Sequence, residues 1–163
     1  MKIKLKDNLG KMKGRVRIIT TDSITGEIKR ISNWYDNMIM LGANTGKDLI
    51  LDRMNGVNTY SLNITHIDIG DDNTSPSASD TALGNAVARA SKVTGVVSGN
   101  SLTLRFFFAS ADLTNGNYYE VGTYVDGSAG VDTGQIFNHA LFGSVYAKGT
   151  NEDTTLEVVF SIT

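Results

Sequence analysis

Apolar and polar residues alternate with a period of two through most of this 163-residue chain. That period marks β-strands whose two faces meet different surroundings. Arg15 to Thr21 and Glu27 to Ser32 alternate around Asp22-Ser-Ile-Thr-Gly26, which predicts a hairpin turned by Asp and Gly, with Val16, Ile18, Ile28 and Ile31 as its apolar contacts. Ile64 to Ile69 reads as another strand. Arg89 to Val97 and Leu102 to Ala109 predict a second hairpin across Ser98-Gly99-Asn100. In it Leu104, Phe106 and Phe108 share one face, while Phe107 makes the other partly apolar. Tyr118 to Val125, with Tyr118, Glu120, Gly122 and Tyr124 on one face, Gln135 to Tyr146 and Thr155 to Ile162 complete the strands.

One segment switches to helical spacing. In GANTGKDLILDRMNG, Asn44 or Thr45 supplies a cap and Asp48 lies at the positive end of the helix. Leu49, Ile50, Arg53 and Met54 recur at helical intervals, and Gly56 stops the run, so the spacing predicts a helix over 45–54. Together these elements predict a mainly β fold: an antiparallel β-sandwich of about seven to nine strands with one short helix packed at its side.

Composition keeps this picture and removes several chemistries. Hydrophobic residues make up 40% and charged residues 20%, the usage of an ordinary globular domain. Cysteine is absent, which excludes a thiol nucleophile, a disulfide and a thiolate metal site. No apolar run is long enough to span a membrane as a helix, and the first residues carry charge with no apolar stretch behind them, so a soluble intracellular product is expected.

Charge changes the picture more. The net charge of −2 hides an asymmetry: residues 1–17 hold seven basic side chains against Asp7, and the remainder holds eight basic against sixteen acidic. The expected organisation is a basic N-terminal arm over 1–14 and a single sandwich domain over 15–163. Lys2, Lys4, Lys6, Lys11, Lys13, Arg15 and Arg17 are the expected assembly contacts of the arm. An acidic neighbouring protein, a second copy included, ranks above nucleic acid as its partner, because no RNA-binding aromatic pattern accompanies the lysines.

The stretch Ile64 to Arg89, ITHIDIGDDNTSPSASDTALGNAVAR, predicts a sharp corner. Gly70 ends a strand through a positive φ or a close backbone approach. Pro76 stiffens the loop, Asp80 caps a turn over Thr81–Leu83, and Leu83 drops into the core ahead of Arg89. Catalytic alternatives are weaker. His66 and His139 are the only imidazoles and read as hydrogen-bonded structural residues, since no GxSxG nucleophile turn exists. Glu120 on one strand and Asp68 on another could form the type of carboxylate pair that glycoside hydrolysis uses, but nothing in the sequence selects them over the other fifteen acids. Asp71-Asp72-Asn73 reads as an Asx turn in preference to a calcium loop. Glycines form no phosphate cradle, and Trp34, Tyr35, Tyr118 and Tyr119 read as packing residues ahead of a sugar platform. The expectation is therefore no catalytic, cofactor or metal site.

The order of these features resembles a family. An Asn37 segment, the helix motif GANTGKDLILDRMNG, Ile67-Asp-Ile-Gly70, a Thr/Ser/Pro loop, Asp80-Thr-Ala-Leu83 ending at Arg89, a long hairpin and Glu120-x-Gly122 follow one another over residues 37–163. This is similar to small β-rich tail, baseplate and fibre-attachment proteins of tailed bacteriophages. Ala86 stands where that pattern is often acidic, and Asp71 where a small residue is usual. The resemblance implies a non-enzymatic virion component, made in the host cytoplasm, that assembles in many symmetric copies with itself and other virion proteins. The alternatives are a capsid decoration protein, or a host-recognition module that binds a glycan.

Overall fold

The computed structural model describes residues 11–163. Its strands are β1 (Met12–Asp22), β2 (Ile28–Ile31), β3 (Tyr35–Ile39), β4 (Ile64–Gly70), β5 (Ala86–Ser98), β6 (Ser101–Phe108), β7 (Gly116–Val125), β8 (Gln135–Lys148) and β9 (Glu152–Ile162), and its helix is α1 (Gly46–Met54). Eight strands run antiparallel in the order β1-β3-β8-β7-β4-β5-β6-β9, and β9 returns to β1. Closure rests on an unbroken ladder from Met12 opposite Ile162 to Asp22 opposite Glu152. The fold is therefore a closed eight-stranded β-barrel, which corrects the expected sandwich. Strands of the two architectures alternate alike, and only the β1–β9 pairing tells them apart. Long strands make the corners. β5 pairs with β4 through Ser91 and with β6 from Lys92, with a register shift at Lys92/Thr94 that re-aims the chain.

Most elements fall where local pattern places them; β3, over Tyr35–Ile39, is a strand that the pattern does not predict. The first hairpin turns at Gly26, where φ is +75°, and the second at Gly99, where φ is +57°. β1 pairs with β3 over Gly14–Val16 and with the short outer strand β2 over Ile19–Thr21. β1 begins at Met12, so residues 12–14 of the expected arm belong to the barrel wall; Lys2, Lys4 and Lys6 lie outside the described residues.

Ile67, Ile69, Leu104, Phe106, Phe108, Val121, Leu156, Val158 and Phe160 fill the interior. The wall formed by β4, β7 and β8 is buried on both faces. Residues 67–70, 120–125 and 136–140 are buried without a break, because the loops 71–85 and 126–134 cover the outer side. Met40, Leu83, Tyr124 and Ile136 form a small second core there. A register shift between Tyr118 and Glu120 reverses the alternation. Tyr118 consequently joins the main core, and does not share a face with Glu120 as the simple period of two implies.

Helix α1 matches the predicted span. Thr45 takes the N-cap position, but its hydroxyl bonds the Gly42 carbonyl, while Asp48 accepts the Asn44 amide at 2.7 Å. Leu49 is buried and Ile50 packs beside it, whereas Met54 points to solvent. Gly46 has a reason beyond helix initiation. Its φ is +33°, and a Cβ there would lie 2.3 Å from the Met40 carbonyl oxygen and 2.8 Å from that of Phe137. Gly46→Ala is expected to destabilise by about 1–3 kcal/mol, since backbone atoms cannot swing aside. Urea denaturation measures this, and a change below about 0.5 kcal/mol would show that the contact relaxes freely.

Candidate functional site

The predicted corner assembles around one buried carboxylate. Gly70 stands opposite Glu120 in the β4–β7 ladder. A Cβ on Gly70 would lie 2.5 Å from Glu120 Oε1 and 2.6 Å from the Asn85 carbonyl oxygen. Close approach, without a positive φ, is what requires glycine here. Gly70→Val is expected to cost about 1–3 kcal/mol through overpacking, read as a lowered denaturation midpoint.

Glu120 is fully buried and fully used. Its Oε1 accepts the Asn85 amide at 2.8 Å, and its Oε2 accepts the Gly84 amide at 3.0 Å and His139 Nε2 at 2.7 Å. On its other side, His139 Nδ1 lies 2.9 Å from Asp80 Oδ2. Ionised carboxylates only accept, so both ring nitrogens donate and His139 is held as an imidazolium. Burial alone would push its pKa down, but the bonds to Glu120 and Asp80 outweigh it and raise the imidazole above its ordinary range. Burial would likewise lift Glu120, yet the His139 bond and the two amides hold it below the usual carboxylate range. Asp80 also accepts the Ser77 amide at 2.9 Å. It therefore closes the Ser77–Asp80 turn, and the expected capped turn over Thr81–Leu83 is corrected to a bend. Leu83 does drop into a core, the smaller outer one.

A cleft of about 380 Å³ opens beside this clamp, lined by Asp72, Ser75, Ser79, Asp80, Thr81 and His139. Asp72 is not idle. Its Oδ1 accepts both the amide and the hydroxyl of Thr74, a local Asx turn, and those bonds hold its carboxyl below the usual range. Asp71 accepts the Asn85 side-chain amide at 2.6 Å. Pro76 is half-buried in the same loop.

Arg89, the last corner residue, makes the second buried cluster. Its fork meets both oxygens of Asp68, at 2.5 and 2.9 Å, with 2% and 0% side-chain exposure for the pair. Arg89 Nη1 also donates to the carbonyls of Ser128 and Thr133, and its guanidinium lies 4.6 Å from the Tyr124 ring centre. Asp68 further accepts the Asp132 amide at 2.8 Å. Burial pushes its carboxyl upward against these donors. Sequence reasoning singled out Arg89 and, separately, Asp68. Their pairing follows only from the register that sets Asp68 opposite Arg89.

Chemically, both carboxylates weighed for hydrolysis are consumed. A general acid or base needs an unshared proton or lone pair facing a substrate. Glu120 and Asp68 spend theirs on protein donors, and His139 has no free nitrogen. His66, half-buried, bonds Thr65 and Ser91 through its two nitrogens. Among the described residues no three His, Asp or Glu side chains converge as metal ligands.

Three of the four aromatic residues weighed as a sugar platform, Trp34, Tyr35 and Tyr118, are engaged as well. Arg15 and Arg17 stand 4.4 and 4.6 Å from the Trp34 ring centre, Tyr35 packs on Phe142, and Tyr118 is buried. Of the expected arm contacts, Lys11, Lys13 and Arg15 are exposed, while Arg17 is partly drawn into a cross-strand bridge. In that bridge Glu157 accepts from Arg17 at 2.9 Å and from Arg105 at 2.7 Å, across three adjacent strands. Sequence reasoning missed Glu157 and Glu120 as organising residues. The signal was present: each is an acidic residue interrupting an otherwise apolar run.

Comparison of the chain with protein-family models, with curated proteins and with solved structures returns no match.

Proposed function

We propose that this chain is a non-enzymatic structural component of a tailed-bacteriophage virion, working in many copies through its surfaces. The observation that carries the non-enzymatic reading is the state of the cleft. Its imidazole has both nitrogens committed to carboxylates, and the inner carboxylate is committed to two backbone amides and the imidazole. Such a clamp holds a loop on a wall; it has no spare valence for a reacting atom. The virion reading draws on the sequence resemblance over 37–163. Its hallmark residues support it as one structural unit: Gly70 on the covered wall, Asp80 and Leu83 in the loop over it, and Arg89 on β5 beside it. Docking is assigned to the basic N-terminal segment, facing acidic surface on neighbouring virion proteins.

Deletion of residues 1–10 tests the docking step without cutting into β1, which starts at Met12. The expected result is a folded protein that no longer enters particles, with wild-type incorporation that weakens as salt screens exposed charges beyond about 8 Å. Incorporation of the truncated chain at the wild-type level would reject the docking role. Hydrolysis of a cell-wall or capsular glycan by the pure protein, abolished by Glu120→Gln, would reject the non-enzymatic reading.

A further inference from the structure

The distal half of β5 is an open strand edge. β4 pairs with β5 only as far as Ser91, and β6 takes the opposite side from Lys92 to Ser98. Among the described residues no strand or loop backbone bonds the other side of Val93–Ser98. The edge is apolar. Val93, Val96 and Val97 are 63, 60 and 75% exposed. Natural sheets guard such edges with charge, proline or a bulge. Here Lys92 and the register shift beside it guard only the corner, and Val93 to Asn100 carries no charge and no proline.

We infer that this edge pairs with the same edge of a second copy, joining two barrels through one continuous antiparallel sheet. This rests on the assembly reading above and names its first contact. The register fixes which groups point outward. The tight turn over Gly99–Asn100 makes Ser98 and Ser101 its closing, hydrogen-bonded pair. Alternation along an antiparallel ladder then turns the amides and carbonyls of Gly95 and Val97 away from β6. A two-fold axis beside Gly95 pairs outward groups with outward groups, which is the self-complementarity that an isologous dimer needs. Glycine at that point permits the close backbone approach.

Charge selects the second copy over the basic N-terminal segment as occupant. The edge itself is neutral, so two copies meet without like-charge repulsion. A two-fold beside Gly95 sets each copy's Lys92 opposite the neutral Ser98 of the other, whereas a segment carrying Lys2, Lys4 and Lys6 would bring like charge to the Lys92 corner. Three valines and a short ladder per copy make a small contact, so the dimer is concentration-dependent in isolation and reinforced in a multivalent particle.

Sedimentation of the full chain across protein concentrations tests this, with Val97→Lys and Val97→Pro as variants. Val97 is exposed, so lysine there leaves the fold intact and sets two charges into the joint. Proline removes an outward amide that β6 does not use. The expected result is a wild-type monomer–dimer equilibrium that both variants abolish, with unchanged circular dichroism and melting. Slowed amide exchange at Gly95 and Val97 should appear only at dimer-forming concentrations. The dimer should survive deletion of residues 1–10; its loss in that truncation would make the N-terminal segment the occupant and overturn the proposal. A wild-type chain that stays monomeric, or a dimer unchanged in both variants, overturns it too. Variants that lose the dimer yet enter particles normally would show that the joint is not an assembly contact and leave the virion reading intact. A dimer in a chain that never enters particles would do the reverse.

Discussion

Arg89→Ala is expected to lower the free energy of unfolding by about 3–5 kcal/mol, the usual cost of leaving one buried charge without its partner. Asp68 has no exposed side-chain surface and takes two of its bonds from the Arg89 fork. Without that fork it keeps the Asp132 amide alone. The carbonyls of Ser128 and Thr133 lose their donor at the same time, so the 126–134 loop loses its anchor to β5. Tyr124, a member of the outer core, loses the cation placed over its ring at 4.6 Å. A loss of this size takes about a fifth or more of the stability of an ordinary domain, about 5–15 kcal/mol. Arg89→Lys keeps the charge but cannot fork across two oxygens, and should fall between wild type and alanine. Urea denaturation of the two single variants and of Asp68→Ala/Arg89→Ala completes a cycle. The double variant should lose much less than the sum of the singles. Additive losses would show that the two side chains act independently.

Glu120→Ala should be nearly as costly, about 3–5 kcal/mol, because it strands the His139 imidazolium and two backbone amides under a covered wall. Here pH provides a second reading. His139 has a raised folded pKa, so its contribution is complete below the ordinary histidine value of 6.5 and is lost as pH climbs through the folded value. Glu120 has a lowered folded pKa, so its contribution is complete above the ordinary 4.5 and is lost as pH falls through the folded value. The clamp therefore stabilises most between those two limits. The difference in melting temperature between wild type and His139→Gln should be largest near pH 5.5 and shrink above pH 7, as follows from those directions. A difference that stays flat across this range would mean that His139 is neutral in the fold.

The local elements were legible from residue pattern. Both hairpins, the helix over 45–54 and the strands flanking the corner follow from period, turn residues and caps, all of which act within a few residues. Gly70, Leu83 and Arg89 were also recognisable as structural residues, because they break the alternation at one place; Asp80 was singled out too, but as the cap of Thr81–Leu83, whereas it closes Ser77–Asp80. Their partners were not legible. Glu120 meets His139 across 19 residues of chain and His139 meets Asp80 across 59. Arg89 meets Thr133 across 44. Such meetings depend on strand register, which no local preference encodes.

Alternation in β1 and β9 requires only that each strand have one wet and one dry face, and both a sandwich and a barrel satisfy that. The eleven-residue β1–β9 ladder, formed between the two ends of the described chain, decided for the barrel. The same long-range closure turned one wall outward beneath two loops, and so buried both faces of β4, β7 and β8. On that wall the carboxylates at 68 and 120 left water, and Arg89 on β5 and His139 on β8, together with amides of the covering loops, became their partners. Sequence alone determined where most strands, both hairpin turns and the helix lie, because these follow from forces between near neighbours; β3 and the turn at Ser77–Asp80 emerged only in the structure. Which charges meet was decided by tertiary structure, because burial creates the demand for a partner and register supplies it.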